Sequence, residues 1–246
     1  MGIKRFLFGT DSHGDQQDDE TINSFLSFAD RWKPHVKIHG GDVFDFRPLR
    51  NGAGAEERAE SMERDCITGM AFLDAYRPDY ILRGNHDERL WQSAKCSTNG
   101  NMRDLCGRLV QEIEQQKTWK AATVLPYDVR SGVLKLGQLQ FVHGYHAGVA
   151  AARQAIGIYK GSGTGVVQGH VHSFSRFADS SLSRAEGISV GALCKIDMPY
   201  NAKTPRKLAH ENGWAFGEIH QSKSGKSDWE LWFCRKGETG KFISPF

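Results

Sequence analysis

The chain has 246 residues, of which 39% are hydrophobic and 25% are charged, and its formal net charge at pH 7 is +3. This length fits one large α/β domain, and this composition supports a packed core and excludes wholesale disorder. The small net charge neither requires nor excludes a nucleic-acid partner, because a local basic patch matters more than the total.

The first half of the chain alternates predicted strands and helices. Residues 3–9 form a short apolar run that is typical of a buried strand. Residues 21–32 carry apolar side chains at helical spacing, and three acidic residues precede them, which suits the start of a helix. The predicted elements of this half are strands at 3–9, 36–38 and 80–82 and helices at 21–32, 55–76 and 102–113.

The second half is richer in strands. We predict strands at 133–136, 139–142 and 166–168 and one helix at 147–156. The polar, basic stretch 201–212 is predicted to be a surface loop. This order of elements indicates mixed sheets covered by helices. We expect a single domain over residues 1–246, in which the strand-rich part after residue 172 completes the sandwich.

Cysteine usage and the lack of long apolar segments predict a cytoplasmic protein without a membrane partner. The five cysteines are an odd number and form no C-x-x-C pair, so we interpret them as reduced thiols. No segment approaches the roughly 18 apolar residues that span a bilayer. The apolar run near Met1 is too short for the core of a signal peptide.

Five short motifs contain the candidate ligands and catalytic residues, and each motif follows a short apolar run. They are Asp11-Ser12-His13, Gly-Asp-Val-Phe-Asp at 41–45, Gly-Asn-His-Asp at 84–87, His143-Gly144 and Gly-His-Val-His at 169–172. Each motif is therefore predicted at the carboxyl end of a strand, where open α/β sheets form their binding crevice. Glycines before Asp42, Asn85 and His170 are expected to let the backbone turn sharply there.

The side chains of these motifs are metal ligands by type. Carboxylate, imidazole and amide oxygen suit Mn²⁺, iron or Zn²⁺, whereas an iron–sulfur cluster needs thiolates. Two cations about 3.5–4 Å apart share a bridging ligand and clamp the attacking and leaving oxygens of a displacement. A carboxylate is the natural bridge, because its two oxygens can face two cations.

The five motifs resemble the calcineurin-like metallophosphoesterase superfamily. Its pattern runs D-x-H, G-D-x-x-D, G-N-H-D/E, a lone His and G-H-x-H, and all five blocks occur here in that order between residues 11 and 172. The resemblance implies two mixed β-sheets sandwiched by helices, and hydrolysis of a phosphate ester by metal-activated water. It also implies two divalent metal ions, for which we expect Mn²⁺, with iron, Zn²⁺ or Ni²⁺ as alternatives.

The resemblance also implies a role for each matching position. The first metal would be held by Asp11, His13 and His172, the second by Asn85, His143 and His170, and the bridge would be Asp42. His86 would face the scissile phosphate and protonate the leaving oxygen, a task that suits a group with a pKa near neutrality. Asp45 and Asp87 are expected to orient imidazoles from behind.

Two further residues are candidates for contact with the substrate. Arg47 follows the second motif closely, and arginine near a dimetal site can bind phosphate through two nitrogens; the alternative is an exposed loop. His146 could replace His143 as a ligand, but we favour His143 because it directly follows the apolar run. His146 would then contact substrate or cap a helix.

The choice of substrate rests on one departure from the pattern. Residues 81–86 resemble the L-R-G-N-H-E block of serine/threonine protein phosphatases, but those enzymes carry G-D-x-x-D-R-G, and here Phe46 displaces the arginine by one position. We therefore expect a phosphodiesterase that acts on nucleic acid or a nucleotide. The alternatives are a phosphomonoesterase and a metal-binding scaffold without catalysis, although every expected ligand is present.

Overall fold

The computed structural model describes residues 2–159, 161, 163–180, 182, 184–196, 209–221 and 227–245. Most of the predicted loop at 201–212, namely residues 201–208, lies outside the described residues. The strands are β1 Gly2–Gly9, β2 Val36–His39, β3 Tyr80–Leu82, β4 Thr123–Leu125, β5 Leu134–Leu136, β6 Leu139–Val142, β7 Gly165–Gln168, β8 Ser175–Ala178, β9 Glu186–Ser189, β10 Gly213–Gln221, β11 Ser227–Lys236 and β12 Phe242–Ile243. The helices are α1 Asp19–Trp32, α2 Ala55–Arg58, α3 Met62–Tyr76, α4 Asn85–Cys96, α5 Gly100–Gln115, α6 Lys117–Ala121 and α7 Ala151–Tyr159.

The strands form two mixed sheets. The first sheet has seven strands in the order β12-β11-β10-β1-β2-β3-β4, in which β1 to β4 are parallel and β10 runs antiparallel to β1. The second sheet has five strands in the order β5-β6-β7-β9-β8, in which β6, β7 and β9 are parallel. Parallel neighbours end at the same edge of a sheet, so each sheet gathers several carboxyl ends on one side.

The alternation of side chains along β1 explains how the layers stack. Phe6 and Phe8 point to one face and pack on Phe141 of β6, with ring centroids 5.2 and 5.5 Å apart. Leu7 points to the other face, where it joins the apolar cluster of α1 around Phe25. The core therefore lies between the two sheets and continues between the first sheet and its helices.

Helices cover the outer faces of both sheets. On the first sheet, α1 and α3 pack through Phe25, Phe72 and Tyr76. On the second sheet, α7 packs through Ala155 on Val142 and Val166. The order of layers is thus helix, sheet, sheet, helix, which confirms the predicted fold class. Within the described residues, none of the helices combines the length and apolar character that a membrane span requires.

Two predicted helices differ from the observed ones, and the observed helices α4 and α6 have no predicted counterpart. The single helix expected at 55–76 is two helices, because the side chain of Ser61 accepts the N–H of Arg64 and so begins α3 anew. The helix α4 was not predicted, because its first turn coincides with the motif at 84–87. The helix expected at 147–156 is α7, which begins four residues later.

Candidate metal centre

The seven predicted metal ligands lie at the carboxyl ends of five strands. β1 leads to Asp11 and His13, β2 to Asp42, β3 to Asn85, β6 to His143, and β7 to His170 and His172. β1, β2 and β3 belong to the first sheet, whereas β6 and β7 belong to the second. The carboxyl ends of both sheets therefore meet at one site, as the sequence predicts.

The backbone at these residues is unusual. Asp11, His13, Asp42, His170 and His172 have φ angles of 56°, 51°, 52°, 70° and 52°, in the left-handed region that residues other than glycine seldom occupy. Such conformations cost of order 1–3 kcal/mol each and persist where the surrounding structure enforces them. Their concentration in five ligand positions indicates a functional site.

Two of the three glycines that precede predicted ligands leave room for a neighbouring carboxylate, and one adopts a positive φ. Of the three glycines that precede predicted ligands, only Gly41 has a positive φ, at +102°. A Cβ at Gly84 would lie 2.0 Å from Oδ1 of Asp42, and one at Gly169 would lie 2.4 Å from Oδ2 of Asp11. The expectation of a sharp turn is therefore correct at Gly41, whereas the other two glycines let a carboxylate approach the backbone.

The first group of converging ligands contains Asp11, His13, His172 and Asp42. Oδ1 of Asp11 lies 3.2 Å from Nε2 of His172 and 3.8 Å from Nε2 of His13. The Nε2 atoms of His13 and His172 lie 3.2 Å apart, and Oδ2 of Asp42 lies 3.9 Å from Nε2 of His13. Four donor side chains thus face one small volume.

The second group contains Asp42, Asn85, His143 and His170. Nε2 of His143 lies 3.3 Å from Oδ2 of Asp42 and 3.1 Å from Oδ1 of Asn85. Donor atoms of Asp42, His143 and His170 lie within 4.8 Å of one another. Because Oδ2 of Asp42 faces both groups, this carboxylate occupies the position of a bridge.

Burial and charge set the protonation of this centre. Burial alone would raise the pKa of Asp11 and of Asp42, but neighbouring histidines outweigh it and hold both pKa values well below the usual range. Burial tends to lower the pKa of His143, but the charge of Asp42 outweighs it and raises the pKa to about 9. Burial lowers the pKa of His170 to about 4.

These residues fit a pair of divalent cations. The groups combine buried carboxylates and imidazoles with one amide oxygen, which is the mixed oxygen and nitrogen set that Mn²⁺, iron and Zn²⁺ accept. The buried carboxylates stay ionised because the neighbouring histidines compensate their charge, and metal binding would replace that compensation by the charge of the cations. Two cations that share Asp42 would supply it.

His86 stands beside the bridge and is held by Asp45. Nε2 of His86 lies 3.9 Å from Oδ2 of Asp42, and its backbone N–H donates to Oδ1 of Asp42 at 2.8 Å. Nδ1 of His86 lies 2.6 Å from Oδ1 of Asp45, which also lies 3.2 Å from Nδ1 of His13. This geometry fits the predicted role of Asp45, since one carboxylate holds two imidazoles.

Asp87 differs from its prediction. Its carboxylate accepts the backbone N–H of Phe44 at 3.0 Å and that of Gly84 at 2.9 Å, and neither partner is an imidazole. Burial, followed by the charge of Asp42, raises the pKa of Asp87 to about 7. Asp87 therefore ties the loop after β2 to the start of α4 instead of orienting a histidine.

Arg47 also differs from its prediction, and the neighbouring Phe46 lies in the core. The guanidinium of Arg47 is buried and contacts Asp45 and Asp15 at 2.8 Å each as well as Glu60, so three carboxylates engage the group expected to bind phosphate. The ring of Phe46 points into the core beside Phe44, 5.2 Å away between centroids, and does not add bulk to the site.

His146 lies apart from both groups. It is half-buried in the loop after β6, and the groups of converging ligands among the described residues contain His143 in its place. Helix α7 begins at Ala151, so His146 does not cap it. Contact between His146 and a substrate stays a prediction.

Two residues near the centre were not predicted. Sγ of Cys194 lies 3.9 Å from Nδ1 of His172, and Nη1 of Arg89 lies 3.0 Å from Nδ1 of His86. Cys194 lies five residues after the end of β9, so a search of the residues that follow each strand could have found it. Arg89 stands three residues after His86 on α4, so recognising that helix would have indicated it.

His39, by contrast, belongs to the core. The N–H of Gly41 donates to Nδ1 of His39, Nε2 lies 3.1 Å from Oγ of Ser12, and that hydroxyl donates to the carbonyl of Val43. Burial lowers the pKa of His39 to about 3, so the ring is neutral.

Comparisons with known proteins bear on the fold and on the family of the chain. Among solved structures, the chain resembles Vacuolar Protein Sorting 29 from Cryptosporidium parvum, with 13% identity over 98% of this chain and 95% of that chain and a TM-score of 0.50. A dimetal phosphatase from Danio rerio is 14% identical over 98% of both chains, with a TM-score of 0.47. A phosphoesterase from E. coli, Yfce, is 11% identical over 97% of this chain and 96% of that chain, with a TM-score of 0.45.

At 13% identity, the likeness to Vacuolar Protein Sorting 29 indicates a shared fold and nothing finer. No curated protein sequence matches the chain. The sequence pattern of the calcineurin-like phosphoesterases, however, matches residues 4–174, which include all seven predicted ligands and His86. Because this match covers more than half of the chain, the protein belongs to the calcineurin-like phosphoesterase family.

Proposed function

We propose that this phosphoesterase is a dimetal phosphodiesterase whose substrate is nucleic acid or a nucleotide. The proposal assigns the first cation to Asp11, His13 and His172, the second to Asn85, His143 and His170, and the bridge to Asp42. The observation that supports it most is the position of Oδ2 of Asp42, 3.3 Å from Nε2 of His143 and 3.9 Å from Nε2 of His13. When bound, two divalent cations neutralise phosphate oxygens and activate a water molecule as nucleophile.

The chain's own residues would supply the acid. With its proton on Nδ1, His86 would donate to Oδ1 of Asp45, 2.6 Å away, and Nε2 of the ring would face Asp42, 3.9 Å away. A proton on Nε2 could then pass to the leaving oxygen, which is a poor leaving group without it. We assign His86 as general acid and Asp45 as the residue that orients it.

The preference for a diester rests on charge. A monoester dianion benefits from an arginine that binds its oxygens through two nitrogens. Arg47, the expected residue, has its guanidinium engaged by Asp15, Asp45 and Glu60, and is therefore bound before a substrate arrives. A diester carries one negative charge fewer and depends less on such a clamp.

A phosphomonoesterase is the second candidate, and Arg89 favours it. Its Nη1 lies 3.0 Å from Nδ1 of His86 and 3.3 Å from the carbonyl of Asp45. A guanidinium this close to the proposed acid could reach a phosphate oxygen after a change of rotamer. The two candidates therefore differ in whether an arginine contributes to turnover.

The test compares two nitrophenyl substrates with Mn²⁺ near neutral pH. We expect kcat/KM for bis(p-nitrophenyl) phosphate to exceed that for p-nitrophenyl phosphate, and we expect Arg89→Lys to change the diester value less than threefold. A monoester preference of tenfold or more, which is about 1.4 kcal/mol in the transition state, would establish the monoesterase. If protein that binds Mn²⁺ turns over neither ester, the result would favour the alternative of a metal-binding scaffold without catalysis.

The cytoplasmic location stays a prediction.

A further inference from the structure

The imidazoles of the metal centre share one structural requirement. A histidine that binds a cation through Nε2 carries its proton on Nδ1, and this proton needs an acceptor that fixes the tautomer and the direction of the ring. For His13 the acceptor is Oδ1 of Asp45 at 3.2 Å. For His143 it is the carbonyl oxygen of Gly40 at 2.9 Å.

His172 meets the same requirement with sulfur. Its Nε2 lies 3.2 Å from Oδ1 of Asp11, on the side of the first metal group, whereas its Nδ1 lies 3.9 Å from Sγ of Cys194. This separation suits a hydrogen bond to sulfur, whose radius is larger than that of oxygen. The donor atoms of His13, His172 and Cys194 all lie within 4.8 Å of one another.

The backbone fixes the position of Cys194 relative to the centre. The N–H of Leu193 donates to the carbonyl of Thr10 at 3.1 Å, and that of Lys195 donates to the carbonyl of Gln16 at 2.9 Å. Nδ2 of Asn212 donates to the carbonyl of Cys194 itself at 2.7 Å. The residues on both sides of the thiol are thus bound to the loop that carries Asp11 and His13, and the side chain is 0% exposed.

We propose that Cys194 is a positioning residue of the first metal site. Its sulfur accepts the Nδ1 proton of His172 and holds Nε2 of that ring toward Asp11. The inference rests on the proposed function, because it takes His172 as a ligand of the first cation. Without the sulfur, the buried N–H of His172 loses its acceptor and the ring loses its fixed direction, so the affinity for one of two cations falls.

The test measures Mn²⁺ affinity in three variants. Free Mn²⁺ is followed by its paramagnetic resonance signal during titration of metal-free wild type, Cys194→Ala, Cys194→Ser and the control Cys106→Ala. Cys106 is equally buried but lies in the apolar cluster around Leu109. We expect Cys194→Ala to bind one of two Mn²⁺ ions about 10–100-fold more weakly, and Cys106→Ala to match wild type.

The serine variant and a spectrum complete the test. A serine hydroxyl can accept the same proton, although its C–O bond is shorter than the C–S bond of cysteine. Cys194→Ser should therefore bind Mn²⁺ at least as tightly as Cys194→Ala. Weaker Mn²⁺ binding by Cys194→Ser would overturn the role of the sulfur as acceptor. Wild type loaded with Co²⁺ should show no thiolate-to-cobalt charge-transfer band in the near ultraviolet. Such a band would make Cys194 a ligand and overturn the positioning role.

The outcomes separate this inference from the proposed function. Wild type that binds fewer than one Mn²⁺ ion would overturn the dimetal assignment itself. Wild type that binds two ions, with Cys194→Ala equal to Cys106→Ala, would overturn only the role of Cys194. If Cys194→Ala fails to fold, Cys194→Ser against Cys106→Ala and the Co²⁺ spectrum carry the same test.

Discussion

Asp45 illustrates how a single residue joins two tasks at this centre. Oδ1 faces the Nδ1 atoms of both His13 and His86, and Oδ2 faces Arg47. Burial tends to raise the pKa of Asp45, but bonds from the two histidines hold it well below its usual range, so the group stays ionised. A proposed metal ligand and the proposed acid are therefore oriented by the same charge.

The role of His86 can be tested by its removal. We expect His86→Ala to keep its Mn²⁺ content and to lose about 10²–10⁴-fold in kcat with alkyl phosphodiesters. The loss should be smaller for nitrophenyl esters, because nitrophenolate leaves without protonation. The measurements are kcat for both substrates and metal content after dialysis.

The matched control is His220→Ala, which removes a half-buried histidine from β10 and should change neither quantity. Loss of metal from His86→Ala would make His86 a ligand. Its Nδ1 does lie close to potential ligand atoms of His13 and Asp45, so the experiment is decisive for the assignment of roles.

Arg47 shows why residue types alone could not give its role. Its place after the second motif was visible in the sequence, but the carboxylates that bind it come from residue 15, from residue 45 and from Glu60, which lies between α2 and α3. Only the packing of these segments brings the three charges together. The placement of the seven proposed ligands at strand ends could be predicted, because each position depends only on its own strand. Their role as metal ligands stays a prediction.

At the scale of elements, the predicted strands have closer bounds than the predicted helices, although β4 and β8 to β12 had no predicted range. The strands at 80–82 and 139–142 have their predicted bounds, because both are short apolar runs with polar or glycine neighbours. The helix α4 escaped prediction, because its N-terminal turn is built by the bond from the N–H of Gly84 to Asp87. The motif at 84–87 was interpreted only as a source of site residues, so the start of α4 within it was not recognised.

The turn before α4 yields a prediction for Gly84→Ala. A Cβ there would meet Oδ1 of Asp42 at 2.0 Å and the backbone nitrogen of Asp42 at 2.5 Å. We expect this variant to lose about 1–3 kcal/mol of the free energy of unfolding, and to bind Mn²⁺ more weakly because the bridge is displaced. Urea unfolding and Mn²⁺ titration measure the two effects.

Gly107→Ala is the control for this substitution. Gly107 lies within α5, and a Cβ there meets no atom within 4 Å. Because alanine is the better helix former, this variant should gain up to about 1 kcal/mol of stability and keep its metal affinity. Wild-type Mn²⁺ affinity in Gly84→Ala would contradict the account of how the loop approaches Asp42.

At the scale of the whole molecule, the first sheet combines distant parts of the sequence. β1 pairs with β2 on one side and with β10 on the other, so the strand that leads to Asp11 is flanked by a strand from the last quarter of the chain. The sequence predicted strands after residue 172 but not this pairing, because long-range partners leave no local pattern. We propose that the chain is a single domain.

A single domain should unfold in one step. We expect urea unfolding of the metal-free protein to give coincident transitions by far-ultraviolet circular dichroism and by tryptophan fluorescence. The fluorescence includes Trp91 of α4, which stacks on Trp119 of α6, and Trp214 on β10, so it samples the middle and the C-terminal part of the chain. Two separated transitions would divide the chain into two units.

The central claim is that one carboxylate joins two cation sites, and metal stoichiometry tests it most directly. Wild type and Asp42→Asn would each be loaded with excess Mn²⁺, dialysed, and analysed for bound metal per chain. The account predicts close to two ions for wild type, and weakened binding of both ions in Asp42→Asn, because the substitution removes the negative charge that faces both groups. Fewer than one ion per wild-type chain, or loss of only one ion from Asp42→Asn with the other unchanged, would contradict it.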